Sequence, residues 1–169
     1  MGLEPLFLTK LVLIALVIIA MLSDLVQMRI PNVISVAIIL LFPVAFLGGE
    51  TPTPILDHVG AMLVVLVAGI ILFAFKILGG GDVKFLSSLA LWTGFGLLPS
   101  FVVILSLVGG VQVVLILVLR KYSDAIEYLL ANTKIVLPEW FHREGGVPYG
   151  LSIGIAILII FERLPFWAS

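Results

Sequence analysis

Two aspartates lie next to long apolar runs, where charged residues are unexpected. Asp24 ends the apolar run Leu11–Ser23, and Asp82 follows the glycine string Gly79-Gly80-Gly81. Ionisable groups at the edge of a bilayer are costly, because hydrocarbon does not solvate charge, so they indicate a functional site by default. Two carboxylates brought together in a low-dielectric site can share one proton, which is how aspartic proteases activate water. The remaining question is whether the chain brings these two acids together.

The composition indicates a membrane protein. Hydrophobic residues make up 62% of the 169 residues, charged residues make up 11%, and the mean hydropathy is +1.33. The core of a soluble domain of this size does not need so many apolar residues, so we predict an all-α, polytopic membrane protein. The absence of cysteine excludes disulfides, Cys-ligated zinc and thiol catalysis. With only His58 and His142, a compact histidine-based metal site is not expected.

The apolar runs predict about six transmembrane helices in a single domain, residues 1–169. A span needs about 20 apolar residues, with about 17 as a workable minimum. The uncharged run Phe85–Leu119 would extend about 53 Å as one helix, and Gly94-Phe95-Gly96 indicates a turn within it. Gln112, the one strongly polar residue deep in this run, is expected to bridge helices. The predicted spans are Leu6–Ser23, Ile30–Gly49, Val59–Phe75, Lys84–Phe95, Leu97–Leu119 and Gly146–Phe161.

The distribution of lysine and arginine predicts that both aspartates lie on one side of the membrane. With both chain ends outside, only Lys10 and Arg163 are outer basic residues, whereas the inner ones are Arg29, Lys76, Lys84, Arg120, Lys121, Lys134 and Arg143. This positive-inside bias puts Asp24 and Asp82 at the cytoplasmic face. The inner loop Arg120–Glu144 mixes aromatic residues with charges, so part of it is expected to form an amphipathic helix on the membrane surface.

The segment around the first aspartate reads Ser23-Asp24-Leu25-Val26-Gln27-Met28-Arg29-Ile30-Pro31-Asn32. Asp24 is predicted at the membrane edge where the first helix ends, and Arg29 supplies a positive charge in the following loop. Pro31 suits the first turn of the next helix, where its missing N–H costs nothing. Alone, the segment is equally compatible with a short interhelical loop that carries an Asp–Arg pair.

The second aspartate ends a Gly-x-Gly-Asp string, Gly79-Gly80-Gly81-Asp82-Val83-Lys84. Glycines permit positive φ and the close approach of another backbone, so an extended substrate strand could lie beside Gly79 and Gly81. Asp82 is predicted to open the next helix, where the helix dipole favours a carboxylate. The same string is also typical of a flexible turn with an N-capping aspartate. Lys84 and Arg29 could act on an acid, contact substrate or meet lipid phosphates.

Taken together, these strings resemble the type IV prepilin peptidase family, the Gly-x-Gly-Asp aspartic proteases of bacterial and archaeal membranes. A third match is Gly146-Val147-Pro148-Tyr149-Gly150, which is similar to the family's Pro-aromatic-Gly stretch at the start of the last helix. The resemblance covers Leu16–Leu91 and Gly146–Gly154. With no cysteine and no room for a methyltransferase region, the chain is similar to the short, peptidase-only branch that serves tight-adherence (Flp-type) pili.

The resemblance implies an endopeptidase that removes the basic leader from prepilin or pseudopilin substrates at the cytoplasmic face of the bacterial or archaeal cytoplasmic membrane. Asp24 and Asp82 would be its catalytic acids, one taking a proton from water and the other donating to the scissile carbonyl. Substrate would also meet Gly79, Gly81, Lys84 and Arg29. Lipid is an expected partner, whereas no metal, cofactor or nucleic acid is expected. The sequence does not determine the oligomeric state.

Two other functions remain open from the residues alone. A small ion- or proton-coupled transporter would use the same two aspartates, and a scaffold without chemistry would pair them with Arg29 and Lys84. Transporters usually place their site near the membrane midplane and often contain a repeat. Here both acids are predicted at one face and no repeat is visible, which favours the peptidase.

Overall fold

The computed structural model of the protein describes residues 5–48, 54–123, 128, 138–142 and 145–167. This described part is helical and contains no strand, which confirms the all-α prediction. Its main helices are α1 (Pro5–Gln27), α2 (Asn32–Gly48), α3 (Ile55–Ala74), α4 (Gly80–Lys121) and α5 (Tyr149–Ile159), with short 3-10 helices at Glu139–Phe141 and Phe161–Arg163.

Three of the described helices are long and apolar enough to cross a membrane, Leu6–Gln27, Ile55–Ala74 and Gly80–Lys121, whereas α2 and α5 are apolar but shorter. Helix α4 covers the predicted fourth and fifth spans, and its backbone leaves the helical conformation at Gly94, within the predicted turn. The count of six spans stays a prediction. The predicted amphipathic segment falls largely on residues 124–127 and 129–137, which lie outside the described residues.

The break in α4 depends on Gly94 and Asp57. Gly94 has φ 57° and ψ −179°, a region that is close to the one occupied essentially by glycine alone. The backbone N–H of Phe95, where the helix restarts, donates to Oδ2 of Asp57 at 2.9 Å. A carboxylate in the first turn of α3 therefore caps the second half of α4, in the way that N-cap side chains satisfy free backbone donors.

We expect Gly94→Ala to lower the thermal stability of the protein, whereas Gly96→Ala should not. Alanine at position 94 would have to keep the positive φ, and this backbone strain alone costs roughly 1–3 kcal/mol. Its Cβ would also press on Oδ2 of Asp57 and on the His58 ring. Gly96 lies in the same helix, and a Cβ there meets no described atom within 4 Å. Thermal unfolding of both variants in detergent measures the difference, and equal midpoints would contradict this role of Gly94.

Helix α4 is the central element of the packing. It contacts α2, α3 and α5, while α1 packs against α2 and α5. Glycines allow two of these helix pairs to approach closely, because Gly69 of α3 lies against Val83, and Gly154 of α5 lies against Met21. Small residues serve this purpose in membrane helices, where van der Waals contact drives association. As a result, the start of α4, the end of α1 and the start of α5 meet at one end of the bundle.

Gln112 bridges α4 and the start of α5, as predicted. Its Nε2 donates to the carbonyl oxygen of Pro148 at 2.8 Å, and its Oε1 accepts a hydrogen bond from Ser152. Buried polar groups in an apolar bundle need such partners. This pair of bonds fixes α5 relative to α4 and therefore fixes the position of the first turn of α5.

Candidate active site

Asp24 and Asp82 line the same cavity. Asp24 lies in the last turn of α1, and Asp82 lies in the first turn of α4, as predicted. The cavity has a volume of about 770 Å³, and its other walls come from the α3–α4 connection and the start of α5. A smaller cavity of about 330 Å³, on the side of the α1–α2 turn, is also lined by both acids. Two helices that are distant in the sequence thus bring the two carboxylates to one site.

The start of α5 orients the carboxylate of Asp24. Asp24 as a whole residue is only 4% exposed, and its Oδ2 accepts a hydrogen bond from the backbone N–H of Gly150 at 2.7 Å. The first turn of a helix leaves such N–H groups without helical partners. A Cβ on Gly150 would lie 2.9 Å from this Oδ2 and 2.7 Å from Cδ1 of Ile30. Glycine is therefore required for this approach, a role that the Pro148-Tyr149-Gly150 motif did not reveal.

The glycine string shapes the backbone beside Asp82 through close approach. Gly79 is the extended N-cap of α4, with φ −73° and ψ 149°, and Gly80 and Gly81 belong to the helix. No glycine of the string has a positive φ, so of the two properties that glycine permits, it is close approach that matters here. A Cβ on Gly79 would lie 2.7 Å from Oδ2 of Asp82, and one on Gly81 would lie 3.4 Å from the carbonyl oxygen of Ile30. Gly79 thus faces the acid, whereas Gly81 packs against the chain's own backbone.

The two basic residues of the predicted site have different surroundings. Nζ of Lys84 donates to Oδ1 of Asn32 at 3.0 Å, which ties the first turn of α4 to the start of α2. Arg29 is exposed and lines the smaller cavity together with both acids. Lys76, predicted only to be an inner positive charge, lines the larger cavity. Lys84 therefore links α4 to α2, while Arg29 and Lys76 are exposed residues on the cavity walls.

Neither acid is ion-paired with Arg29 or Lys84. An ion pair between described residues joins Nζ of Lys10 to Oε2 of Glu162 at 2.6 Å, outside this site. The scaffold hypothesis expected both aspartates to be paired with these bases. Instead, the described contacts leave both carboxylates on the cavity walls.

Arg120 holds one wall of the larger cavity, a role that the sequence did not suggest. Its Nε and Nη2 donate to the carbonyl oxygen of Trp140 at 3.0 and 2.9 Å. Its Nη2 also donates to the carbonyl oxygens of Gly145 and Gly146, each at 2.6 Å. Nε1 of Trp140 donates in turn to the carbonyl oxygen of Leu25 at 2.9 Å. The end of α4 thus fastens the segment that precedes α5 to the end of α1.

This arrangement can support general acid–base chemistry. Two carboxylates face a space large enough for a short stretch of extended chain, and one of them is held by a backbone donor. Such a pair can activate a water molecule and protonate a carbonyl oxygen in the same site. Among the described residues, no group of three or more His, Cys, Asp or Glu side chains is placed to hold a metal ion.

A family model described as the type IV leader peptidase family matches residues 11–132. This range is more than half of the chain and includes Asp24, the glycine string and Asp82, whereas Gly146–Gly150 lies beyond it. No match was found among curated proteins or among solved structures.

Proposed function

The chain belongs to the type IV leader peptidase family, and we propose that it is an aspartic endopeptidase that removes the basic leader of prepilin or pseudopilin substrates. The observation that carries this proposal is the meeting of Asp24 and Asp82 on the walls of one cavity. A protease of this type needs two carboxylates that share the proton-transfer work, and the family match covers both of them.

In the proposed mechanism, one acid takes a proton from a water molecule and the other donates a proton to the scissile carbonyl oxygen. The water oxygen then forms a bond to the carbonyl carbon. When the tetrahedral gem-diol intermediate collapses, the C–N bond breaks and the leaving amine receives the proton that came from water. One hydroxyl of the intermediate returns its proton to the aspartate that donated it, so both acids are restored. The N–H of Gly150 keeps the Asp24 carboxylate in position through these steps. No covalent enzyme intermediate is required.

We place this chemistry at the cytoplasmic edge of a bacterial or archaeal cytoplasmic membrane, in a protein with about six spans. Support comes from the positions of the acids, since Asp24 lies in the last turn of α1 and Asp82 in the first turn of α4. The basic leader would stay on the inner side, while the apolar helix of the substrate lies in the bilayer. Cleavage at the boundary between the two suits acids at helix ends.

The remaining predicted site residues have distinct proposed roles. Gly79 keeps the space beside Asp82 free for the substrate backbone, and Arg29 contacts substrate or lipid at the opening of the smaller cavity. Lys84 acts through Asn32 by holding α4 against α2, and Gly81 allows the α1–α2 turn to pack on the start of α4. The last two are thus proposed as positioning residues, with no direct contact to substrate.

Co-expression with candidate Flp-type pilins or pseudopilins tests the proposed function. We expect the protein to shorten at least one of these substrates by the mass of its leader, visible as a shift in a denaturing gel. If every candidate stays at full length while the peptidase is present in the membrane, the proposed function is wrong.

Arg120→Lys is expected to slow leader removal by roughly tenfold, the factor that about 1.4 kcal/mol represents. Lysine keeps the positive charge but lacks the planar guanidinium that binds several carbonyls at once, so the wall before α5 would loosen. Lys121→Ala removes the neighbouring exposed charge and should have little effect. The rate of leader removal in membranes gives the comparison. Full activity of the Arg120→Lys variant would contradict this role of the guanidinium and would show that only the charge of Arg120 matters.

A further inference from the structure

An apolar groove begins at the acid cavity. It has a volume of about 450 Å³, and its walls come from α3, α4 and α5. Leu78 and Tyr149 line both the groove and the larger acid cavity, so the two spaces meet at these residues. The rest of the groove is lined mainly by leucine, valine and glycine, including Leu72, Leu86, Leu105, Gly109, Gly110 and Val113.

We propose that this groove binds the apolar helix that follows the scissile bond of the substrate, an inference that rests on the proposed function. A chain held at the two acids continues on one side as a basic leader and on the other as an apolar helix. Only the helix suits a groove with such walls. The hydroxyl of Ser106, one of its few polar groups, donates to the carbonyl oxygen of Val102 at 2.8 Å and so needs no partner from the occupant.

The small residues along α4 favour a helix as the occupant. Ser106 and Gly110 are four positions apart, so they lie on one face of the helix, and small residues at this spacing let a second membrane helix approach closely. Elsewhere in the protein, glycines with this role are covered by a neighbour, since Gly69 contacts Val83 and Gly154 contacts Met21. A Cβ on Gly110 meets no described atom within 4 Å. This surface of α4 therefore has the features of a helix contact whose partner comes from another molecule.

The first test blocks the groove with a side chain that leaves the fold intact. Gly110→Leu should raise the KM for a full-length substrate by at least roughly tenfold, the factor that about 1.4 kcal/mol of lost binding represents. Gly96→Leu is the matched control, because position 96 lies on the same helix, outside the groove, with equally open space around its Cβ. Equal KM values for the two variants would overturn the inference. A groove that is filled by lipid would give this result.

A shortened substrate sharpens this test. A peptide that ends a few residues beyond the scissile bond lacks the apolar helix, and the wild-type protein should bind it more weakly. Gly110→Leu and this truncation should be non-additive, because both remove the same contact. Additive effects would mean that Gly110→Leu acts elsewhere, and the inference would fail.

Disulfide trapping locates the helix directly. The chain contains no cysteine of its own, so every cross-link to the protein must form at the introduced cysteine. Gly110→Cys in an Asp24→Asn background is combined with single cysteines along the apolar helix of the substrate. Cross-links should recur every three or four substrate positions, the spacing of one helix face, and Gly96→Cys should give none. Cross-links without this period, or between two copies of the peptidase only, would overturn the inference. If the wild-type protein does not cleave the substrate at all, the proposed function fails instead.

Discussion

Asp24→Asn and Asp82→Asn are each expected to lower the rate of leader removal by at least about 10²–10⁴-fold, the usual contribution of general acid–base catalysis. Asparagine keeps the size of the side chain and much of its hydrogen bonding, but it cannot exchange the proton that the mechanism needs. Among the described residues that line the larger cavity there is no third acid, so nothing can replace either aspartate. Rates measured with purified variants and one prepilin-type substrate check this expectation.

The control for these variants is Asp57→Asn. Asp57 is also an aspartate in the first turn of a helix, but it caps Phe95 at the break in α4. The amide oxygen of asparagine can accept the same hydrogen bond, so cleavage should stay close to the wild-type rate. All three variants should insert into the membrane and unfold at similar temperatures. Near-wild-type cleavage by Asp24→Asn or Asp82→Asn would rule out the pair as the catalytic acids.

Gly150→Ala is expected to reduce cleavage on the order of 10²-fold, because a misplacement of about 1 Å can cost that much. The added methyl group would lie 2.9 Å from Oδ2 of Asp24 and 2.7 Å from Cδ1 of Ile30. Both distances are shorter than van der Waals contact, so the carboxylate must move and its hydrogen bond to the backbone N–H must lengthen. The effect should appear in kcat, since the change displaces a reacting group and leaves the groove untouched.

Gly48→Ala serves as the comparison for Gly150→Ala. A methyl group at position 48 meets the side chain of Leu6 at an ordinary 3.6 Å, far from the acids, and should leave cleavage unchanged. Thermal unfolding in detergent separates a local from a global effect. If Gly150→Ala lost stability and cleavage in parallel, or lost neither, the proposed contact between Gly150 and Asp24 would not be a catalytic requirement.

The features predicted correctly from the sequence depend on patterns within one segment or on the distribution of charged residues along the chain. The break in α4 follows from the length of an uncharged run and from the glycine that interrupts it. The bridging role of Gln112 follows from the cost of an unpaired amide in an apolar bundle. That Asp24 and Asp82 line one cavity agrees with the distribution of lysine and arginine, which predicts both acids on one side of the membrane before any packing is known.

The features that the sequence did not reveal depend on contacts between distant segments. The hydrogen bond from Gly150 to Asp24 and the bonds from Arg120 to the segment before α5 join parts of the chain that only packing brings together. No residue type at these positions signals its partner. The backbone geometry of the glycine string has a local cause. Helix α4 begins at Gly80, so two of the three glycines have helical geometry instead of forming a turn.

The most direct test of the proposed function uses the purified protein, reconstituted into liposomes with one synthetic prepilin-type substrate and analysed by mass spectrometry. The proposed function predicts two fragments from a single cut between the basic leader and the apolar helix, and none from Asp24→Asn or Asp82→Asn. It would be contradicted by an intact substrate, above all if the same liposomes showed a proton flux that required both aspartates.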